Sequence, residues 1–387
     1  MSKSTASVAD SQVRERPKKP YPEFPLFPHA TRRWAKKIRG KIRYFGPWAD
    51  PDGALRKYQE QRDDLFAGRT PRVQGDGLSV GKLLNLFLNS KRHLLDTCEL
   101  SLRSFSDYKA TCARIADAFG STRLVVDLAA DDFERLRIAR AKTWGPVTLA
   151  NEIQRTRAIF KYGYDAGLID RPIRYGPGFK RPSKKTLRKA RLAKGARMFE
   201  AAELRKIIRA AGIPLQAMVL LGINCGFGNT DCGRLPLKAL DLKGGWVDYP
   251  RPKTAIPRRC PLWSETVAAL RCAIADRPAP KGDTDPQLVF ITERGGSWAK
   301  DTADSPVSKE MAKLLEELKL HRPGLNFYAL RHTLETVGGE TKDQIAVDTI
   351  MGHARDDMAS VYRERVSDER LRGVTDYVHK WLFKKGK

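Results

Sequence analysis

The chain has 387 residues and a hydrophobic content of 41%, enough to bury about two or three ordinary cores. Its 72 lysines and arginines outnumber its 45 aspartates and glutamates, which gives a formal charge of +27 and makes nucleic acid the first candidate partner. No apolar run has the length of a membrane span and the polar first twenty residues contain no secretory signal, so we expect a cytoplasmic, nucleoid-associated protein without membrane contact.

The N-terminal region divides into two parts by composition. Residues 1–30 are rich in serine, proline and charge, which predicts a disordered terminus. In the next part, residues 31–75, two short β-like runs flank Arg39-Gly40 and a helical pattern follows from Asp52 to about Phe66. This pattern predicts a β-hairpin with a packed helix.

The predicted hairpin is strongly basic, since seven of the twelve residues from 32 to 43 are lysine or arginine. Cationic side chains on a small sheet can contact DNA phosphates. The alternative is a solvated basic hairpin that contacts nothing. We expect DNA contacts from Arg33, Lys36, Lys37, Arg39 and Lys41.

Residues 78–172 show four amphipathic helical patterns of ten to twenty residues each. Ser79 and Ser101 stand at the start of the first two, Asp131 opens the third and Thr148 opens the fourth. Helices of this length with apolar faces predict a compact bundle. By itself the pattern describes a generic helical domain.

A basic linker, residues 173–198, follows the helices. Nine of the eighteen residues from 180 to 197 are lysine or arginine, and prolines with glycines oppose helix formation in its first part. We expect Lys184, Lys185 and Arg188 to contact DNA phosphates. A solvated linker without ordered contacts is the alternative.

Residues 199–387 predict a larger mixed domain. Helical patterns cover Glu200–Ala211, Pro214–Cys225 and Val307–Leu318. Two β runs around a turn are predicted within Gly245–Leu262, and one further strand over Leu288–Thr292. The last helical pattern is amphipathic, and it either packs on its own domain or docks on a neighbouring copy. Its range is Ser367 to Phe383.

Short motifs in this region follow one another in a set order. They are Gly226-Phe-Gly-Asn-Thr-Asp231 before a leucine-rich stretch with Asp241, then Lys253 in the predicted hairpin, Tyr328-Ala-Leu-Arg331, Met351-Gly-His353, and Tyr362 nine positions later. This order resembles the tyrosine recombinases, also called phage-type integrases. The resemblance covers roughly residues 78–380, and its specific motifs lie in the last 160 residues.

The resemblance implies a role for each matching residue. Tyr362 is the nucleophile that attacks a DNA phosphodiester, Lys253 donates a proton to the leaving 5′ oxygen, and Arg331, His353 and Tyr328 donate hydrogen bonds to the phosphate. The residue types suit this chemistry, because guanidinium is always charged and matches phosphate oxygens in shape. Tyr328 stands where the family has a histidine, and it keeps hydrogen bonding but not proton transfer near pH 7.

The sharpest departure from the family pattern is at Gly228, which occupies the position of the first catalytic arginine. Asp231 matches the acid that follows. A glycine offers phosphate only its backbone N–H, and Arg234, also a candidate DNA contact, is the nearest arginine in sequence. Arg251, Arg258 and Arg259 are further candidates to replace the missing side chain.

The resemblance implies a mainly α fold with small β-sheets, an α+β architecture. It would comprise an N-terminal arm-type module over residues 31–75, a SAM-like core-binding bundle over 78–172 and a catalytic domain over 199–387. The implied partner is double-stranded DNA, bound by four protomers in a synapse, with accessory DNA-bending proteins as further partners. The implied activity is site-specific recombination, either integration, excision or dimer resolution, through a 3′-phosphotyrosyl intermediate.

Neither a metal nor another cofactor is expected, because the covalent intermediate retains the phosphoester energy and the six scattered cysteines have no metal-ligand spacing. Those cysteines are expected to be small core residues. Two other functions stay open. One is a catalytically impaired relative that binds specific DNA sites, and the other is a basic structural protein of a nucleoid or ribonucleoprotein.

Overall fold

The structure, a computed structural model, describes residues 16–66, 77–300, 305–353, 358 and 362–384. In this part of the chain helices predominate and two small three-stranded sheets are present, which confirms the predicted α+β class. The remaining residues, which include much of the predicted disordered terminus and most of the stretch before Tyr362, lie outside the described part of the chain.

The first sheet consists of three antiparallel strands, β1 (Phe27–His29), β2 (Arg33–Ile38) and β3 (Lys41–Pro47), and is followed by helix α1 (Pro51–Phe66). Arg39 and Gly40, with φ angles of 48° and 81°, form the two-residue turn between β2 and β3. The predicted hairpin is therefore confirmed. The sheet and its core also take in residues that the sequence analysis placed in the disordered terminus: β1 and the buried Phe24 and Leu26.

Four helices follow, and their first residues explain where they begin. They are α2 (Val80–Asp96), α3 (Leu102–Phe119), α4 (Ala130–Ala141) and α5 (Pro146–Asp165). The Ser79 hydroxyl accepts the Lys82 N–H at 3.2 Å, and the Ser101 hydroxyl accepts the Ser104 N–H at 3.2 Å, as in side-chain N-caps. Helix α5 begins at Pro146 instead of at Thr148, because proline is well suited to the first turn of a helix.

Contacts divide the chain into two compact units, and the division falls within α2, α3, α4 and α5. The first unit comprises residues 1–87, 112–136 and 157–179, and the second comprises residues 88–111, 137–156 and 180–387. The first unit contains an aromatic core in which neighbouring rings lie 4.9–6.4 Å apart, formed by Phe119, Phe133, Phe160, Tyr175 and Phe179. The predicted domain boundaries stay a prediction.

The basic linker contains a helix that the sequence analysis did not predict, α6 (Lys184–Leu192). The Ser183 hydroxyl accepts the Thr186 N–H at 3.1 Å and caps it. None of the residues of α6 is buried, so no apolar stripe marks this helix in the sequence.

The second unit is built around helix α8 (Ile213–Cys225), whose last nine residues are all buried. Several helices of this unit pack against it, and the three strands of the second sheet are neighbours in chain order. The side chain of the buried Asn224 ties α8 to the sheet, since it donates to the Pro261 carbonyl at 3.0 Å and accepts the Trp263 N–H at 2.9 Å. Further elements of this unit are α7 (Ala201–Ala210), α9 (Asn229–Gly233), β4 (Leu240–Asp241), β5 (Trp246–Asp248), β6 (Arg259–Pro261), α10 (Ser264–Ala275), α11 (Pro306–Glu317), α12 (Ala329–Gly339), α13 (Gln344–Met351) and α14 (Asp368–Phe383).

Three expectations are decided here. The strand predicted over Leu288–Thr292 is wrong, because this segment forms only isolated bridges through Leu288 and Ile291. Helix α14 packs on its own domain and buries Leu371, Val374, Val378 and Leu382. Of the six cysteines, Cys98 and Cys272 are exposed and the other four are buried.

In the part of the chain that the structure describes, no helix combines the length and apolarity needed to cross a membrane.

Candidate active site

Arg331, one of the predicted catalytic residues, is buried and is fixed by two hydrogen bonds to backbone carbonyls. Its side chain is 2% exposed, and it donates from Nη1 to the Gly226 carbonyl and from Nη2 to the Met351 carbonyl, both at 2.6 Å. These carbonyls stand at the C-terminal ends of α8 and α13. Gly226 and Gly352 end the two helices in the left-handed conformation, with φ angles of 65° and 63°. Carbonyl groups at helix ends carry partial negative charge and suit a guanidinium.

Positive charge is concentrated around Arg331. Burial lowers the pKa of Arg331, and the nearby guanidinium of Arg251 lowers it further, while Tyr328 and Asp231 oppose the change. An arginine still keeps its proton near neutral pH. The lowered pKa therefore reports a buried cation that lies near a second cation.

The first motif places Gly228 and Asp231 together at the start of α9. The Gly228 N–H donates to Asp231 Oδ2 at 2.6 Å, so the backbone donor that the sequence analysis offered to phosphate already has a partner. The Tyr328 ring lies beside Gly228, because a Cβ atom on the glycine would lie 3.3 Å from Tyr328 Cε2. Asp241, the later acid of the motif, accepts the Gly244 N–H at 2.8 Å in the turn before β5 and so has a structural role.

Asp231 also receives an arginine from the hairpin that β5 and β6 form. Arg258 donates from Nη2 to Asp231 Oδ1 at 3.3 Å and from Nε to the Tyr249 carbonyl at 3.0 Å. Its guanidinium carbon lies 4.3 Å from the centre of the Phe227 ring. Burial and the charge of Asp231 raise the pKa of Tyr249 to about 12.

The tip of the same hairpin carries Lys253, whose side chain is exposed. The tip is closed by hydrogen bonds from the Thr254 and Ala255 N–H groups to the Arg251 carbonyl, at 3.1 and 2.8 Å. The half-buried Arg251 lies at the base of this turn and donates to the Gly352 carbonyl at 3.4 Å. The predicted β runs and turn are confirmed.

Tyr328 borders a basic pocket of about 490 Å³, and its own side chain is 41% exposed. Its ring meets that of His332 edge to face, with centroids 5.5 Å apart. Burial, Arg197 and Arg191 lower the pKa of His332. The pocket is lined by Lys194, Arg197, Pro323, Gly324, Asn326, Tyr328 and His332.

His353 follows the left-handed Gly352 and stands beside two carboxylates. Its Nδ1 atom lies 3.6 Å from Glu335 Oε2 and 3.5 Å from Asp348 Oδ1, and the Gln344 amide donates to both acids at 2.9 and 3.0 Å. Burial lowers the pKa of His353, as do Arg331 and Arg251, while the carboxylates oppose them. His353 is therefore neutral at neutral pH.

Among the described residues, Glu335, Asp348 and His353 form the one group of acids and histidines that could hold a metal ion, with ligand atoms within 4.8 Å of one another. All three side chains are partly exposed, and exposed acids commonly lie together without a metal. The two carboxylates lie close enough to His353 to favour its protonated form, as their opposing effect on its pKa indicates.

The lowered pKa of His353 predicts a dependence of stability on pH. Just below the ordinary histidine pKa of 6.5, the unfolded chain binds the proton more readily than the folded one. The free energy of unfolding should therefore fall as the pH decreases below about 6.5. We expect His353→Gln to flatten this dependence in urea unfolding at several pH values.

The exposed His321→Gln is the control for the loss of a histidine. An equal pH dependence in His353→Gln and wild type would contradict the assignment. His332, whose pKa is also lowered, should contribute in the same direction as His353.

Tyr362 is 77% exposed, and it follows a stretch of which only residue 358 belongs to the described part of the chain. The structure therefore brings Arg331, Arg251, Arg258, Tyr328 and His353 into one neighbourhood, and it places Lys253 and Tyr362 on exposed segments. The catalytic roles stay predictions.

The predicted DNA-binding residues occupy three surfaces. Arg33, Lys37, Arg39 and Lys41 are exposed on the first hairpin, where Lys36 is half-buried. Lys184, Lys185 and Arg188 are exposed on α6, and Arg234 is exposed at the end of α9. Sequence reasoning did not single out Lys194 and Arg197, although both lie within the basic run that could have drawn attention to them.

Comparisons with known proteins agree with this architecture. Residues 196–369 match the model of the phage integrase family. The fold is similar to a lambda integrase dimer bound to a COC′ core site, with a TM-score of 0.58 and 14% identity over 91% of this chain and 98% of that one. It is also similar to the Tn1549 transposon integrase in complex with circular intermediate DNA, with a TM-score of 0.56 and 15% identity over 78% of this chain and 99% of that one.

A lambda integrase tetramer bound to a Holliday junction is similar as well, with a TM-score of 0.56 and 12% identity over 91% of this chain and 99% of that one. At these identities the likeness establishes the fold. The chain matches no curated protein sequence.

Proposed function

We propose that the chain is a site-specific DNA recombinase that cleaves and rejoins strands through a 3′-phosphotyrosyl intermediate, because residues 196–369 match the model of the phage integrase family. The observation that carries the proposal is the group of cations around Arg331. Arg331 is fixed by the ends of α8 and α13, and Arg251 and His353 lie within electrostatic reach of it. A phosphodiester is the anion that such a site is suited to receive.

In the proposed reaction, the hydroxyl oxygen of Tyr362 forms a bond to phosphorus and the bond from phosphorus to the 5′ oxygen breaks. Arg331, Tyr328 and the neutral His353 donate hydrogen bonds to the non-bridging oxygens as charge develops on them. Lys253 gives its proton to the leaving 5′ oxygen, and the tyrosine proton is lost to solvent. Attack by the 5′ hydroxyl of a partner strand then reseals the DNA and releases Tyr362.

The proposed substrate is double-stranded DNA, held by the basic hairpin, by α6 and by the pocket beside Tyr328. We infer that four protomers assemble on two duplexes, since the similar structures include a DNA-bound dimer and a DNA-bound tetramer. Strand exchange needs two strands to be cut and joined in turn.

The test is a duplex from the flanks of the gene that carries a nick near the cleavage point, so that cleavage releases a short fragment and traps the covalent intermediate. We expect a protein–DNA species that survives a denaturing gel. Tight binding without any such species would support the second candidate, a catalytically impaired relative that binds specific DNA sites. Gly228 and Tyr328, the two departures from the family motifs, favour that candidate.

The basic hairpin makes a separate prediction about binding. Lys37 and Lys41 are exposed on β2 and β3, and each phosphate contact that is lost should reduce the slope of log affinity against log salt by about 0.9. We expect Lys37→Ala/Lys41→Ala to lower the slope by about one to two, measured by fluorescence anisotropy over a salt series. The exposed pair Lys243→Ala/Lys313→Ala removes the same charge elsewhere. If the slope of log affinity against log salt is the same for the two variants, the hairpin is solvated and does not contact DNA.

A further inference from the structure

The group around Arg331 contains a second arginine from the hairpin, Arg251. We propose that Arg251 binds the attacked phosphate together with Arg331 and supplies the guanidinium that Gly228 cannot supply. The inference rests on the proposed function, because it assigns a ligand to the phosphate of that reaction.

The first step of the argument concerns the backbone of Gly228. Its N–H donates to the Asp231 carboxylate at 2.6 Å, and the Tyr328 ring lies beside it. Because glycine has no side chain and its backbone N–H already has a partner, this position does not hold a phosphate. A reaction of this kind needs preorganised donors on the oxygens where charge develops, so another group has to provide them.

The second step is the position of Arg251. Its N–H donates to the Ile256 carbonyl at 2.8 Å across the hairpin, which fixes the backbone. A Cβ atom on Gly352 would lie 3.2 Å from Arg251 Cβ, so the side chain begins directly beside the end of α13. Within the described part of the chain, its guanidinium makes one hydrogen bond, a long one of 3.4 Å to the Gly352 carbonyl. Most of its donors are therefore available to a ligand.

The third step is electrostatic. After burial, Arg251 is the group that lowers the pKa of Arg331 most, and it also lowers the pKa of His353. Like charges that are held together raise the free energy of the folded protein unless an anion lies between them. Asp231 offsets this repulsion only in part, because its carboxylate is bonded to Arg258 and to the Gly228 N–H. A phosphate that bridges Arg251 and Arg331 would relieve the repulsion.

The other candidate arginines are less suitable. Arg258 forms an ion pair with Asp231 and stacks on Phe227, so its charge is already balanced, although its Nη1 atom has no hydrogen-bond partner among the described residues. Arg259 is paired with Asp248 and Asp368 and stacks on Trp246, with its guanidinium carbon 4.0 Å from the ring centre. Arg251 combines partial exposure with a place beside Arg331.

The experiment measures the rate of covalent complex formation on the nicked duplex at saturating DNA. We expect Arg251→Gln to be slower than wild type on the order of a hundred- to a thousand-fold, with Arg251→Lys between them. The control is Arg209→Gln, since Arg209 is an exposed arginine on α7 of the same domain. It should cleave at the wild-type rate.

A rescue variant tests whether Arg251 binds the phosphate or has only a structural role. Gly228 has an ordinary φ of −95°, and a Cβ atom there would lie 3.3 Å from Asp231 Oδ2 and from Tyr328 Cε2, so an arginine requires these side chains to shift by a few tenths of an ångström. Gly228→Arg/Arg251→Gln should recover at least tenfold of the lost rate, because the new guanidinium approaches the same phosphate. A purely structural loss would not be restored in this way.

The outcomes separate the two proposals. If Arg251→Gln cleaves as fast as wild type, or if the rescue variant recovers nothing, Arg251 is not the phosphate ligand, while the recombinase assignment is retained. If the wild type itself forms no covalent complex and Gly228→Arg does not confer one, both proposals are overturned.

Discussion

Tyr362→Phe is expected to abolish the covalent complex on the nicked duplex while leaving the affinity for that duplex unchanged. The reason is that phenylalanine keeps the ring but lacks the oxygen that would bond to phosphorus. The Tyr362 side chain is 77% exposed, so its hydroxyl contributes little to the free energy of unfolding. The measurement is the yield of denaturation-resistant complex together with the dissociation constant.

The matched control is Tyr377→Phe, because Tyr377 is another exposed tyrosine of the same domain, on α14. It should retain full cleavage. A Tyr362→Phe protein that still forms the complex would place the nucleophile on another residue and would contradict the proposed mechanism.

Arg331→Lys is expected to reduce both the cleavage rate and the stability. Lysine keeps the charge, but its single ammonium group cannot hold the Gly226 and Met351 carbonyls and also offer a planar pair of donors to phosphate. We expect a rate lower on the order of a hundred- to a thousand-fold. The free energy of unfolding should fall by about 1–3 kcal/mol, because one buried carbonyl loses its partner.

The control for this variant is Arg322→Lys, which disturbs the paired contact of Arg322 with Glu203 in the same domain. It should lower stability without a comparable loss of rate, because Arg322 takes no part in the group around Arg331. If Arg331→Lys loses stability only to the same degree and cleaves at the rate of the control, the phosphate is bound elsewhere.

Local features of the sequence predicted much of the fold. The Arg39-Gly40 pair predicted the first hairpin, because both residues accept or tolerate the positive φ angles of a tight turn. Ser79 and Ser101 predicted the starts of α2 and α3 through their capping hydroxyls. In these cases the information lies within four or five neighbouring residues.

Features that depend on distant contacts were not predicted. The apolar run Leu288–Thr292 resembles a strand, but in the structure it finds only isolated bridge partners, Pro236 and Ser297. Helix α6 has no buried face, so its sequence carried charge but no periodic apolar signal. Exposed Cys272 and Cys98 show that residue type alone does not determine burial.

The candidate site also combines features that the local sequence predicted with features that depend on distant contacts. The motif order pointed to Arg331 and His353, and the structure places both beside the end of α13. The sequence offered Arg251 as one of several candidate arginines and could not distinguish it from the others, because its position depends on a hairpin that folds against Gly352, about a hundred residues later in the chain. The engagement of the Gly228 N–H by Asp231 likewise becomes visible only in three dimensions.

The most direct test of the central claim is to digest the trapped complex and identify the linked peptide and DNA end by mass spectrometry. We expect a peptide containing Tyr362 joined to a 3′ phosphate, with a free 5′ hydroxyl on the released strand. A different linked residue, the opposite polarity, or bound DNA without any covalent link would contradict the proposed mechanism.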